Sequence, residues 1–585
     1  MPLIGTAGHV DHGKSTLIQR LTGRDPDRWE EEKRRGLTID LGFGWTTLPN
    51  GTDVSFVDVP GHERYLKNML AGIEAIDIAL FVVAADEGWM PQSEEHLAVL
   101  DLLEVSTGII ALTKSDLVDS DLLELATVEV TEKLEGTSLE SSEVVPVSGT
   151  TGDGIDSLVL HLQELTSSVA PSDIGRPRLW VDRSFTASGA GTIVTGTLLD
   201  GTVDTDEGVT IYPSGRPARV RGIQSHESQV DHIGPGRRVA LNLGGVDRDE
   251  VGRGDMIGLP DQWTLSTRFV ASIRTARYVD KLERRGAYQL HIGSSVHPVE
   301  IVGLGAGVAV FTTYEPIPLT IGDRFIVRDT GRKLVVAGGR VLDPEPGPTR
   351  NAMASARSIN PDAHADELAT RLLAIRGRAK LNRITAQARG GSPVDAISVA
   401  GQLLSTDAFR VLIDAAAQLV AEEHETHPLR VGLPLATLAE RLDVSIEIAE
   451  RVVSDSEDLE RVGPDIAASG REVALPDSAR AEWERARSEL AAALAVPSVT
   501  ELGLDSELLH LQLRRGELVR VSDDLVWLPQ QIDELRGLLE SLPEEFTVAQ
   551  FRDAAGLSRK YAVPLLEWAD KEGLTVRRGD TRTLR

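Results

Sequence analysis

The sequence predicts a multidomain fold running from α/β through β to α: a P-loop nucleotide domain, two β-barrels and a C-terminal array of winged-helix modules. Three observations carry this expectation. Leu3-Ile4-Gly5-Thr6-Ala7 leads into Gly8-His9-Val10-Asp11-His12-Gly13-Lys14-Ser15-Thr16 and then Leu17-Ile18-Gln19-Arg20-Leu21, which reads as strand, glycine-rich loop and helix. From about residue 175 the pattern changes to short glycine-punctuated strands. After Pro344-Glu345-Pro346-Gly347-Pro348 it changes again, to Ala, Leu, Glu and Arg at helical spacing.

Composition narrows the chemistry. A chain of 585 residues holds several cores. It has no cysteine, so disulfides, thiolate metal sites and thiol nucleophiles are excluded. A strand starting at residue 3 leaves no room for a basic, apolar leader, and the apolar run from Ile76 to Ala85 is too short to cross a bilayer. A cytoplasmic protein that does not enter membranes is expected. The net charge of −29 opposes indiscriminate nucleic-acid binding, leaving local basic sites to be sought by segment.

The first domain is expected over residues 1–170. Backbone N–H groups of Asp11, His12, Gly13, Lys14, Ser15 and Thr16 would curl around phosphates at a helix N-terminus. Lys14 would reach the outer phosphates, and the Ser15 hydroxyl would ligate Mg²⁺. The side chains of His9 and His12 read as structural or surface residues rather than ligands. Asp58, ending an apolar strand, supports Mg²⁺ through water, while the Gly61 N–H senses the terminal phosphate. After the strand Gly108 to Leu112 comes Thr113-Lys114-Ser115-Asp116. A carboxylate at Asp116 can accept both N–H donors on the edge of guanine, and the Lys114 stem can lie against the base. Ser148, closing Val144 to Val147, permits close backbone approach to it. Singly these motifs are weak; in order, at the ends of successive strands, they define a doubly wound sheet with its ligand across the strand C-termini.

Gly8 to Thr16, Arg35-Gly36-Leu37-Thr38-Ile39, Asp58-Val59-Pro60-Gly61-His62-Glu63 and Thr113-Lys114-Ser115-Asp116 resemble the motifs of translational GTPases. Most of that group has asparagine where this chain has Thr113; the selenocysteine-specific elongation factors tend to carry threonine. The resemblance implies a P-loop GTPase domain using GTP, GDP and Mg²⁺. Thr38 would complete the metal shell with Ser15, and His62 would be the catalytic group positioning the attacking water on the ribosome. Val10 and Leu37 match the apolar gate that restrains that histidine.

Barrels are expected at 174–260 and 263–345. Ser188-Gly189-Ala190-Gly191-Thr192-Ile193-Val194-Thr195-Gly196-Thr197 and Val336-Ala337-Gly338-Gly339-Arg340-Val341-Leu342 resemble the two barrels of elongation factor Tu, a carrier of aminoacyl-tRNA. By that resemblance Asp182, Arg183 and Arg238 occupy the amino-acid pocket, which in a selenocysteine carrier must tell an ionised selenol from a hydroxyl. A buried anion requires positive charge or several hydrogen bonds. The blander reading of Asp182 and Arg183 is an ordinary surface pair.

Residues 350–585 read as repeated helix pairs with small hairpins, with a last module at about 535–585. Residues 551–585 carry eight Lys/Arg against five Asp/Glu, whereas residues 491–550 carry four against eleven. Arg559 and Lys560 at a helix start, with Arg577, Arg578 and Arg582 on a wing, could grip RNA phosphates. Charge alone would equally give a solvated surface. The segment Phe551 to Arg582 resembles the final winged helix of bacterial selenocysteine-specific elongation factors, which binds a hairpin in selenoprotein mRNA. The implied protein is a monomeric carrier with selenocysteinyl-tRNA, an mRNA hairpin and the ribosome as partners. Two alternatives stand beside it: another tRNA-delivering GTPase, and a GTP-regulated winged-helix regulator that binds DNA.

Overall fold

The computed structural model describes residues 2–25, 41–60, 76–169, 171–187, 189, 191–283 and 286–585. The chain forms two compact units, Met1–Thr406 and Asp407–Arg585.

The first unit begins with a six-stranded sheet in the order β2-β3-β1-β4-β5-β6, from Leu3–Gly8 (β1), Gly42–Thr47 (β2), Asp53–Asp58 (β3), Ile78–Ala84 (β4), Gly108–Thr113 (β5) and Glu143–Pro146 (β6). Only β2 runs antiparallel to its neighbour. The described helices around it are Lys14–Thr22 (α1), Pro91–Leu102 (α2), Ser120–Leu134 (α3) and Ile155–Ser168 (α4). Strands β1, β4 and β5 are buried along their whole length, as a parallel sheet covered on both faces requires. That explains their continuous apolar runs, and it leaves only the strand ends free to carry chemistry.

Two closed barrels follow. In the first, Gly208–Tyr212, Met256–Gly258, Arg178–Trp180, Gly191–Leu199, Arg237–Gly244 and Arg216–Ser225 form a ring that closes through the pairing of its first and last members. Gly191–Leu199 alternates between inside and outside, with Thr192, Val194 and Leu198 buried. In the second, six strands from Thr264–Ser272 to Leu334–Asp343 close the same way. Its centre is a triad of Phe269, Phe311 and Phe325, with ring centroids 4.9–6.0 Å apart in stacked and edge-on pairs. Each such contact adds about 0.5–1.5 kcal/mol beyond area burial.

The unit does not end at the proline-rich stretch. Helices Thr349–Ser358 and Ala365–Arg376 and the small sheet of Arg378–Lys380, Ile397–Val399 and Gln402–Leu404 lie against the second barrel. Ala352, Ile359, Leu368, Leu372 and Ile384 share a core with Val270, Val310, Ile321 and Leu342. Polar contacts tighten this seam: Arg376 reaches Asp343 at 2.8 Å, and Thr320 Oγ1 donates to the Gln387 carbonyl at 2.9 Å.

The second unit contains three further helix-and-hairpin modules, their hairpins at Leu459–Ala468, Val519–Trp527 and Thr575–Leu584. The last two modules share one core from Ala479 to Ala569, with Trp527 fully buried and edge-on to Tyr561 at 6.5 Å.

Candidate functional site

The phosphate loop leaves β1 at Gly8, whose φ is +130° and where a Cβ would sit 2.1 Å from the Val82 carbonyl oxygen. No other residue fits there. Asp11 and Gly13 also take positive φ, and α1 starts at Lys14, so its first N–H groups face the loop. The Lys14 ammonium is buried and lies across the loop, donating to the carbonyls of His9 at 2.6 Å and Gly8 at 3.1 Å.

Behind the loop, Ser15 Oγ donates to Asp58 Oδ2 at 2.7 Å and Thr6 Oγ1 donates to Asp58 Oδ1 at 2.7 Å. A fully buried carboxylate is thereby fixed beside a serine hydroxyl. Thr113 explains its own presence: its hydroxyl lies 2.6 Å from the His12 carbonyl and 3.2 Å from that of Val83, tying β5 to the loop. Lys114 has a positive φ, and its ammonium pairs with Glu87 at 2.5 Å and Asp86 at 3.3 Å. Burial lowers its pKa, but the two carboxylates outweigh this and leave it raised. Asp116 is exposed on the short turn Ser115–Leu117, and Ser148 is buried, accepting the Thr151 N–H at 3.0 Å. Asp11 to Thr16, Asp58, Thr113 to Asp116 and Ser148 thus come together at one end of the sheet. Val10 belongs to the same loop. Leu37, Thr38, Gly61 and His62 lie outside the described residues.

Two residues of this region were not anticipated. Gln92 Oε1 accepts the Val10 N–H at 3.0 Å, and His96 Nδ1 accepts the Gly8 N–H at 2.9 Å. Both stand on α2, four residues apart and therefore on one face. Acting as an acceptor requires a neutral imidazole, and burial pushes the His96 pKa down to about 3. His12 is likewise buried and pushed down to about 4, chiefly by desolvation. The polar run Gln92-Ser93-Glu94-Glu95-His96 at the start of a helix was the available signal.

The second cluster joins β2 to the first barrel. Asp182 is buried and receives Thr195 Oγ1 at 2.7 Å and both terminal nitrogens of Arg238, one of them at 2.8 Å. The Arg238 guanidinium lies 3.6 Å above the Phe43 ring, and Arg183 faces the same ring at 5.8 Å while donating to the Leu41 carbonyl at 2.9 Å. The ion pair is therefore Asp182 with Arg238, not the adjacent Arg183. A cleft of about 370 Å³ opens beside it, lined by Phe43, Trp45, Thr195, Gln224 and Arg238. Its far wall is pinned by His226, which stacks on Trp45 with centroids 5.1 Å apart and meets Ser55 Oγ at 3.0 Å. On the other side a wider cleft of about 850 Å³ is lined by Arg183, Phe185, Arg248 and Arg253.

In the last module Arg559 and Lys560 are exposed at the start of the helix Arg559–Lys571, and Arg577 and Arg578 are exposed on the hairpin. Arg582 is a correction. It is only 4% exposed, and its Nε donates to Asp570 at 2.9 Å. The strand Thr581–Leu584 turns that residue inward, onto a helix carboxylate that also receives Thr575 Oγ1 at 2.6 Å.

Such a phosphate loop, with a carboxylate-supported serine and the Thr113 to Asp116 strand end beside it, joined to two barrels, defines a translational GTPase. Residues 1–168 match the family "Elongation factor Tu GTP binding domain" and residues 191–258 "Elongation factor Tu domain 2". Residues 267–348 match "Selenocysteine-specific elongation factor, beta-barrel domain", and residues 537–584 match "Elongation factor SelB, winged helix". The chain is 33% identical to the selenocysteine-specific elongation factor of Desulfomicrobium baculatum, with the whole of both chains covered. It is 31% identical to that of Escherichia coli K12, covering all of this chain and 98% of the other. A crystal structure of a bacterial selenocysteine-specific elongation factor, EF-Sec, superposes with a TM-score of 0.72 at 30% identity over the full length of both chains. The chain belongs to the selenocysteine-specific elongation factor family, and it binds and hydrolyses GTP.

Proposed function

We propose that this protein, a cytoplasmic monomer, carries selenocysteinyl-tRNA in its GTP state and delivers it at UGA codons by holding an mRNA hairpin in its last winged helix. The observation that carries the reading is the pair Arg183 and Arg238 gathered around Phe43 at the seam of nucleotide domain and first barrel. A selenol ionised at neutral pH gains from guanidinium groups on either side of Phe43, Arg238 lining one cleft and Arg183 the other, whereas a seryl hydroxyl brings no charge. Asp182 and Thr195 hold Arg238 in place.

In the nucleotide site, amides of Asp11 to Thr16 surround the phosphates, Lys14 neutralises them, and Thr113, Lys114, Asp116 and Ser148 surround guanine. Mg²⁺ fits the chemistry present: a serine hydroxyl beside a fixed carboxylate is a hard-oxygen set that leaves positions for phosphate and water. Ser15 and Thr38 would hold it, and it would supply charge neutralisation between the outer phosphates. The Gly61 N–H reports the terminal phosphate, and His62, gated by Val10 and Leu37, positions water when the ribosome acts on it. In the last module, Arg559, Lys560, Arg577 and Arg578 grip RNA phosphates.

The test of the carrier reading is Arg183→Ala, assayed for binding of selenocysteinyl- and seryl-tRNA with GTP present. Most discrimination between the two should disappear. Full discrimination in the variant rejects the pocket.

A further inference from the structure

The helix α2 is braced from two sides, and the two sides belong to different domains. Along one face, Gln92 Oε1 accepts the Val10 N–H at 3.0 Å and His96 Nδ1 accepts the Gly8 N–H at 2.9 Å. Glu94 and Asp101, about two turns apart along another face, meet the second barrel instead. Arg274, in the strand Arg274–Thr275, pairs with Asp101 at 2.8 Å and also donates to the Asp101 carbonyl. Arg277 pairs with Glu94 at 2.9 Å and donates to the Lys133 carbonyl of α3 at 2.7 Å. The other carboxylate oxygen of Asp101 accepts the Ser138 N–H at 2.9 Å, which fixes that side chain from behind.

Apolar packing fills the space between these polar ties. Leu97, Ala98 and Leu102 share one core with Ala7 of β1 and with Ile326 and Ala337 of the second barrel. At Gly338 a Cβ would sit 2.8 Å from that of Leu102, so the strand Leu334–Asp343 comes as near the helix as a residue without a side chain allows. All of α2 from Glu95 to Leu102 is buried. A helix packed this closely along its length passes on a displacement rather than absorbing it. The shape of the phosphate loop therefore depends on where α2 stands, and where α2 stands depends on Arg274, Arg277 and the Leu102–Gly338 contact.

We propose that the second barrel slows nucleotide release by bracing α2, with Gln92 as the positioning residue that carries this support to the phosphate loop. A nucleotide leaves when the loop opens, and a loop tied to two acceptors on a fixed helix opens less readily. The second barrel is thus a built-in brake on loss of GDP. This brake requires only that the first domain bind guanine nucleotide, and it is independent of which tRNA the protein carries.

The test is a double-mutant cycle on the full chain, read in stopped flow as the rate at which bound fluorescent GDP is replaced by excess unlabelled GDP. Gln92→Leu, and separately Arg274→Ala with Arg277→Ala, should each speed release severalfold, up to about tenfold, as loss of one acceptor or of two partly exposed ion pairs allows. The combined variant should release GDP no faster than the faster of the two, because both act on one support. Arg274→Lys with Arg277→Lys, which keeps the charges, should restore most of the slow release. Circular dichroism checks folding, and if the two-alanine variant does not fold, Arg277→Ala alone takes its place in the cycle. Effects that multiply in the combined variant overturn the proposal, because Gln92 and the arginines then act separately. An unchanged release rate in either folded parent variant overturns it as well.

Discussion

His96 shows how much a single buried acceptor decides. It takes the Gly8 N–H, so the phosphate loop keeps its shape through a buried side chain on α2. His96→Ala strands a buried donor, at a cost of about 1–3 kcal/mol, and should weaken GDP affinity about tenfold in a fluorescent-nucleotide titration. Unchanged affinity would show that the loop holds its shape without it. The same burial sets a pH dependence. His12 and His96 remain neutral in the folded chain down to about 4 and about 3, from an ordinary 6.5. Below pH 6.5 the unfolded chain takes up protons that the folded chain refuses. Their contribution is full above that pH and drains away as the pH falls towards the folded values. Urea midpoints should drop between about pH 7 and about pH 5, and His12→Gln should flatten part of that slope. Equal slopes in variant and wild type would remove His12 from the account. At the Asp182 cluster, Arg238→Ala leaves the buried carboxylate without its bidentate partner and should destabilise the protein by roughly 3 kcal/mol or more. Arg183→Ala leaves the Asp182–Arg238 pair in place and should not strand that carboxylate. Chemical denaturation of the two variants separates the roles.

At the scale of elements, the last helix and wing divide their arginines by face. Arg559 and Lys560 are exposed, and Arg559→Glu with Lys560→Glu should abolish hairpin binding while sparing GTP binding. Arg582→Ala should instead lower the melting temperature of the module, because it removes the partner of Asp570. A stable Arg582→Ala variant with weakened RNA binding would reverse that assignment. Local charge counting could not make the distinction: the excess of basic residues is real, but alternation along a strand sends every second side chain to the other face. The phosphate loop was legible for the opposite reason. Gly8 and Gly13 are dictated by backbone geometry, and geometry of that kind leaves a fixed spacing in sequence. The support from Gln92 and His96 was hidden because a polar residue on a buried helix face looks like any other polar residue until its partner is known. The proline-rich stretch misled in a milder way. It reads as a spacer, yet Asp343 just before it and Glu345 within it anchor Arg376 and Gln387 of the following helices.

For the whole molecule, the order of nucleotide domain, barrels and helical modules followed from changes in periodicity, because each layer type imposes its own apolar repeat. Where the first unit ends did not. Whether a module is autonomous depends on a buried seam such as Ile359 and Leu368 against Val270 and Ile321, and no local pattern announces it. That seam puts one helical module with the two barrels and leaves three in the second unit. The central claim is that a GTP-dependent switch at one end of the sheet controls a pocket selective for an anionic aminoacyl group. The most direct measurement compares binding of selenocysteinyl-, seryl- and a standard aminoacyl-tRNA to the intact protein with GTP and with GDP. The account predicts tight binding of the selenocysteinyl form alone, and only with GTP. Equal affinity for the seryl form, or binding indifferent to the nucleotide, would contradict it.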